Sequence, residues 1–142
     1  MEIKNKKASF NYFVESTIEA GIVLVGSEIK SVKNGSVNLT DSYIRIKDNE
    51  AYVINLFIDK YDGANIFNHE PTRERKLLLH KKEIKKLYEQ VKTDGVTLIP
   101  LSIYLKKGLC KISIGVCRGK KLYDKRESIK KRDLERENKK WR

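Results

Sequence analysis

At 142 residues, 39% hydrophobic and 35% charged, with a net charge of +12 and a pI near 9.7, the chain has room for one hydrophobic core and is biased toward polyanionic partners. No run approaches a transmembrane span, and the opening Met1-Glu2-Ile3-Lys4-Asn5-Lys6-Lys7 lacks the apolar stretch of a signal peptide, so a cytoplasmic protein is expected. Nucleic acid leads the partner classes; a membrane is not expected, because Leu122, Tyr123, Ile129, Leu134 and Trp141 do not line one helical face.

In chain order, Phe10, Tyr12 and Val14 alternate along a first strand that continues through Ile18 and, after a turn at Glu19-Ala20-Gly21, into Ile22-Val23-Leu24-Val25, giving a hairpin or a bent strand. Ser27 to Lys33 reads as a short helix, with Ile29 and Val32 three apart and a stop at Asn34-Gly35. Ile44 and Ile46 alternate with Arg45 and Lys47, Asp48-Asn49-Glu50 supplies turn residues, and Ala51 to Ile58 returns as the second strand of a hairpin. The polar segment from Asp59 to Glu74 is long for a plain connection and points to a functional loop. Ile84, Leu87, Tyr88 and Val91 then recur at i, i+3, i+4 and i+7 among lysines, with Asp94-Gly95 as the stop: a helix apolar inside and basic outside. A second long hairpin joins Val96–Leu105 to Leu109–Val116 across Lys106-Lys107-Gly108, with Leu101, Ile103 and Leu105 on one face and Cys110, Ile112, Ile114 and Val116 likewise.

Cys110 and Cys117 lie on opposite faces of one strand, on the order of 20 Å apart, and cannot pair. Together with His69 and His80 they match no zinc-ligand spacing, so no metal and no cofactor is expected. From Arg118 onward almost nothing remains to bury: 12 Lys and Arg face 5 Asp and Glu, and this 25-residue stretch carries +7 of the total charge. The expected organisation is a folded body over residues 1–117 and a basic tail over 118–142, disordered when free. Strands grouped on both sides of one amphipathic helix argue for a mainly β fold with short helices, a small antiparallel barrel or sandwich, of which a five- or six-stranded barrel of the oligonucleotide-binding type is the expectation.

Pro71-Thr72-Arg73-Glu74-Arg75-Lys76 sets three cations just before the apolar anchor Leu77-Leu78-Leu79. Pinned this way, Arg73, Arg75 and Lys76 suit phosphate contacts; a solvated loop balanced by Glu74 accounts for the spacing equally well. Asn5-Lys6-Lys7 and Gly119-Lys120-Lys121 bracket the body and form one basic surface if the first and last strands are neighbours, though frayed, charged termini are the commoner case. Glu19 can accept hydrogen bonds from an exposed base edge or, more ordinarily, hold a lysine or arginine in place. A ribonuclease-like use of His69 and His80 is the enzymatic alternative, but no phosphate-binding glycine loop, nucleophile elbow, HExxH or paired-carboxylate motif is present, so binding is favoured over catalysis.

Six separated motifs in order carry a resemblance over nearly the whole chain: Asn5-Lys6-Lys7, Glu19-Ala20-Gly21, Gly26-Ser27-Glu28-Ile29-Lys30-Ser31, Asp41-Ser42-Tyr43, the stretch from Pro71 to Leu79, and Gly119-Lys120-Lys121-Leu122-Tyr123-Asp124-Lys125-Arg126. The chain resembles the small protein B (SmpB) family, the tmRNA-binding proteins of bacterial trans-translation. The resemblance implies an oligonucleotide-binding-type barrel that holds the tRNA-like domain of tmRNA, and a tail that works on the small ribosomal subunit, in the decoding centre and mRNA channel. It implies a monomer that delivers tmRNA to stalled ribosomes for rescue and peptide tagging. By motif, Asn5, Glu19 and Leu78 lie on or under the tmRNA-binding surface, while Tyr123, Asp124, Lys125 and Arg126 belong to the ribosomal function. In an RNA-lined channel Lys125, Arg126, Lys130, Lys131 and Arg132 would meet phosphates and Tyr123 would stack on a base, with Gly119 as a free joint and helix forming beyond about Asp124. A generic RNA chaperone or an RNA-processing enzyme is the alternative.

Overall fold

The computed structural model describes residues 2–61 and 68–119. The tail residues from Lys120 onward, and with them the expected roles of Lys120, Lys121, Tyr123, Asp124, Lys125, Arg126, Lys130, Lys131 and Arg132, lie outside the described residues. In chain order the elements are β1 (Glu2–Lys4), α1 (Ala8–Asn11), β2 (Tyr12–Ile22), α2 (Gly26–Lys33), β3 (Val37–Asn38), β4 (Tyr43–Lys47), β5 (Glu50–Ile54), β6 (Phe57–Ile58), β7 (Arg75–Leu78), α3 (Lys81–Asp94), β8 (Thr97–Lys106) and β9 (Leu109–Gly119). Seven of the strands form one antiparallel sheet in the order β1-β8-β9-β2-β7-β5-β4, and β3 pairs with β6 in a separate ribbon. The sheet curls so that edge strand β4 packs against β8, with no hydrogen-bonded register joining them: a barrel-like, incompletely closed fold.

The inner face holds the core. Ala20, Ile112, Ile114, Val116, Leu98 and Ile103 meet Val53 and Leu77 from the far strands, and Ile84 and Leu87 of α3 and Val32 of α2 close over them. The α3 residues are the i, i+3 stripe its sequence displays, and Gly95 ends the helix in the left-handed conformation at φ 68°. The β4–β5 hairpin turns at Asp48 and Asn49, both at positive φ, as a two-residue turn matched to strand twist demands.

Several expectations are corrected. Phe10 belongs to α1 and is 78% exposed, and β2 runs unbroken through Glu19-Ala20-Gly21 with no turn there. The sheet has seven strands rather than five or six, because β1 and β7 also join it. β9 continues through Arg118 to Gly119, pairing with Phe13 and Tyr12, three residues beyond the expected strand end at Val116.

Two bulges reorganise the pattern. Glu15 is the extra residue between Val14 and Ser16 on β2, and Leu101 the extra residue between Pro100 and Ser102 on β8. Leu101 therefore leaves the face of Ile103 and joins a small outer cluster with Ala8, Ile99, Cys117 and Tyr12, beneath α1. Gly115 is required there: a Cβ at this position would come within 2.8 Å of the Leu101 side chain. The two cysteines are free thiols on opposite faces, Cys110 packed against the main core and Cys117 within the outer cluster; burial pushes both up to about 11.

Candidate nucleic-acid interface

β7 is short and alternates strictly: Arg75 and Leu77 are buried, Lys76 and Leu78 exposed. That alternation turns a run of three leucines into a core residue, a surface residue and a partly buried one. Leu78 is 56% exposed and lies over Gly21, whose missing side chain makes the approach possible, since a Cβ would sit 3.3 Å from that of Leu78. Two residues back on β2, Glu19 shares the outer face. Glu19, Gly21, Lys76, Leu78, His80 and Lys111 are among the residues lining one open groove of about 500 Å³.

Within it, Glu19 is already oriented. The Tyr104 hydroxyl donates to its Oε2, and Lys106 Nζ lies 3.6 Å from Oε1. The Tyr104 hydrogen bond, aided by Lys106 and Lys111, holds the carboxyl below its usual value, while burial and the bond to Glu19 push the Tyr104 phenol up to about 12. The carboxylate therefore stays charged and positioned with acceptor capacity left over. Replacing Tyr104 with phenylalanine should move the Glu19 carboxyl back toward its ordinary value, read by NMR titration of side-chain carboxyl shifts.

The groove is not simply basic. Lys76 pairs with Glu50 at 3.4 Å, and Glu50 and Glu83 also line the groove. Glu83 accepts from the His80 amide at 2.9 Å, capping α3. A surface with three carboxylates suits base edges and sugars better than a bare row of phosphates.

The Arg73–Arg75 loop departs most from its spacing-based expectation. Arg75 is fully buried: Nε donates to Glu28 Oε2 at 2.5 Å, and its other nitrogens donate to the carbonyls of Leu56 at 2.6 Å and Pro71 at 3.0 Å. Arg73 is partly exposed, yet it grips the same carboxylate through Nε at 2.9 Å and Nη2 at 2.6 Å. Glu28 Oε1 also accepts from the Val25 amide at 2.9 Å and so starts α2. Burial works to raise the Glu28 carboxyl, and the bonds from Arg73, Val25 and Arg75 outweigh it, leaving the pKa lowered. Arg75 is thus part of the scaffold, and of the loop's three cations only Lys76 stands in the groove.

His69 is likewise structural in geometry. Nε2 donates to the Ile58 carbonyl at 2.8 Å, which leaves Nδ1 to accept from the Ser27 hydroxyl at 2.8 Å. With both nitrogens engaged, His69 is not available as an acid or base beside His80, which lines the groove.

Asn5 is buried. Its backbone amide bonds the Leu101 carbonyl at 2.8 Å, and Nδ2 donates to the carbonyls of Leu39 at 3.1 Å and Pro100 at 2.9 Å, fixing the β8 bulge. Lys6 and Lys7 are exposed on the turn into α1, at the Tyr12 end of β2, with Glu19 and Leu78 toward the other end. Gly119 pairs with Tyr12 at that same end. The structure joins Glu19, Lys76 and Leu78 in one groove and sets Asn5, Lys6, Lys7 and Gly119 apart from it. Sequence reasoning passed over Tyr104, Lys106 and Lys111, although the hairpin across Lys107-Gly108 pairs Tyr104 with Lys111 and was the signal available.

Comparison with known proteins bears on the whole chain. The chain is 56% identical over 133 residues to the SsrA-binding protein of Desulfitobacterium hafniense strain DSM 10664 / DCB-2, covering 94% of this chain and 85% of that protein. It is 54% identical over 134 residues to the SsrA-binding protein of Staphylococcus aureus strain JH1, covering 94% and 87%. A solved chain from the structure described as "tmRNA-SmpB: a journey to the center of the bacterial ribosome" superposes with a TM-score of 0.74 at 41% identity, covering 96% of this chain and 90% of that one. The family model described as SmpB protein matches residues 2–142, and the chain belongs to that family.

Proposed function

We propose that this chain is an SsrA-binding protein of trans-translation: it binds the tRNA-like domain of tmRNA and delivers it to stalled ribosomes for rescue and peptide tagging. The observation that carries the reading is the groove in which an oriented carboxylate, Glu19, stands beside an exposed leucine, Leu78, on a barrel-like sheet. Glu19 accepts hydrogen bonds from an unstacked base of a structured loop, Leu78 packs on an exposed base or sugar, and Lys76 and Lys111 meet the backbone. Arg73 and Arg75 support that face from beneath by fixing β7, and Asn5 fixes the β8 bulge at the other end of the sheet. Lys6 and Lys7 add charge at its far end.

The body over residues 1–117 and the basic tail over 118–142 divide the work. From Gly119, Lys120 and Lys121 through Tyr123, Asp124, Lys125 and Arg126 to Lys130, Lys131 and Arg132, the tail acts on the small subunit, in the decoding centre and mRNA channel. The protein acts as a cytoplasmic monomer, by binding rather than by catalysis. Sequencing the RNA that co-purifies with the full chain from its own cells tests the reading. One dominant tmRNA is expected; a broad RNA mixture or cleaved product would overturn it.

A further inference from the structure

Along α3, Lys81, Lys85, Tyr88 and Lys92 fall at i, i+4, i+7 and i+11, so one exposed stripe carries lysines on both sides of a tyrosine. At about 1.5 Å per residue the stripe is about 16 Å long, a length that about three phosphates of an extended strand can follow. Among the described residues, none of its lysines is in an ion pair.

Tyr88 is 47% exposed and forms the wall between two grooves. On one side a groove of about 750 Å³ runs along Lys81, Lys85 and Lys92 to Asn49 of the β4–β5 turn. On the other a groove of about 280 Å³ is lined by Tyr43, Arg45, Val91 and Leu98, where β4 meets β8 without a ladder. Among the described residues, Glu89 is the one carboxylate lining either groove. The stripe is distinct from the groove of Glu19 and Leu78, which α3 lines only through Glu83 and the preceding His80.

We propose that this face of α3 is a second RNA contact, taking a single-stranded or looped RNA segment with one base unstacked against Tyr88. Lysines on both sides of an aromatic ring, spaced along one line, match the alternation of phosphates and bases in a single strand. An acidic peptide would satisfy the lysines and leave the ring without a planar partner. This goes beyond the binding of tmRNA through Glu19 and Leu78.

The test is an amide NMR titration of the full chain with a decauridine RNA. Shifts are expected from Lys81 to Thr93; Tyr88→Ala should abolish them, Tyr88→Phe keep them, and Leu78→Ala leave them unchanged. Replacing Lys81, Lys85 and Lys92 together by alanine should lower the log–log salt slope of decauridine binding by about 2, at about 0.7 per lost phosphate contact. Unmoved α3 amides, shifts that survive Tyr88→Ala or vanish with Leu78→Ala, an unchanged salt slope, or the same shifts on adding a polyglutamate decapeptide would each overturn the proposal. Because decauridine has no tRNA-like fold, failure here is distinct from failure of tmRNA binding.

Discussion

Replacing Glu28 by glutamine should destabilise the fold by about 3–5 kcal/mol, the range expected when one partner of a buried ion pair is removed and the other charge stays behind. Glu28 is fully buried and is the common anchor of Arg73, Arg75 and the first turn of α2. Glutamine keeps the volume but leaves the buried Arg75 guanidinium without a counter-charge. Arg75→Met should cost less, since it removes the buried cation while Arg73 still satisfies the carboxylate. The pH dependence has a definite sign. The Glu28 pKa is lowered in the fold, so its contribution is fully present above the ordinary carboxylate value and is lost as pH falls through the folded value. Urea unfolding from neutral to acidic pH should therefore show the two proteins converging on the acid side. The effect reaches the groove as well, because Arg75 and Leu78 share a four-residue strand.

Replacing Glu19 by alanine should weaken tmRNA binding by on the order of tenfold to a hundredfold, although it takes a negative charge away from a basic protein facing a polyanion. Electrostatics alone gives the opposite sign. Weakening is expected because Glu19, held by Tyr104 and Lys106, offers oriented acceptor positions to base donors, while Glu50 is paired with Lys76 and Glu83 caps α3. The log–log salt slope should stay unchanged, since no phosphate contact is lost; Lys76→Ala should weaken binding less and lower the slope. Filter binding or calorimetry across a salt series reads both quantities. A tighter Glu19→Ala complex would show that the carboxylate only offsets nearby lysines.

Much of the fold was legible in the sequence because it rests on local periodicity. The 3.6-residue stripe of α3, the alternation of Cys110 to Val116 and the Asp48-Asn49 turn each depend on neighbours within a few positions. The bulges were not legible. An extra residue at Glu15 or Leu101 is defined only by the partner strand, and it moves Leu101 off the face that simple alternation assigns. Arg75 was misread for a related reason: its cationic neighbours are adjacent in sequence, but the carboxylate that buries it lies 47 residues away. Glu19 stood out as a carboxylate beside Gly21 and Leu78 was marked by resemblance, whereas their junction over Gly21 depends on the β2–β7 register. Tyr104 was passed over because an aromatic on a hairpin reads as packing until its hydroxyl is seen to meet a carboxylate.

The central claim is that the outer face around Glu19 and Leu78 holds tmRNA, and amide NMR of the full chain titrated with the isolated tRNA-like domain tests it most directly. The account predicts that, at saturation, shifts centre on Glu19, Gly21, Lys76, Leu78, Tyr104 and Lys111. Those amides remaining in place while shifts gather around Lys7 and α1 would contradict it.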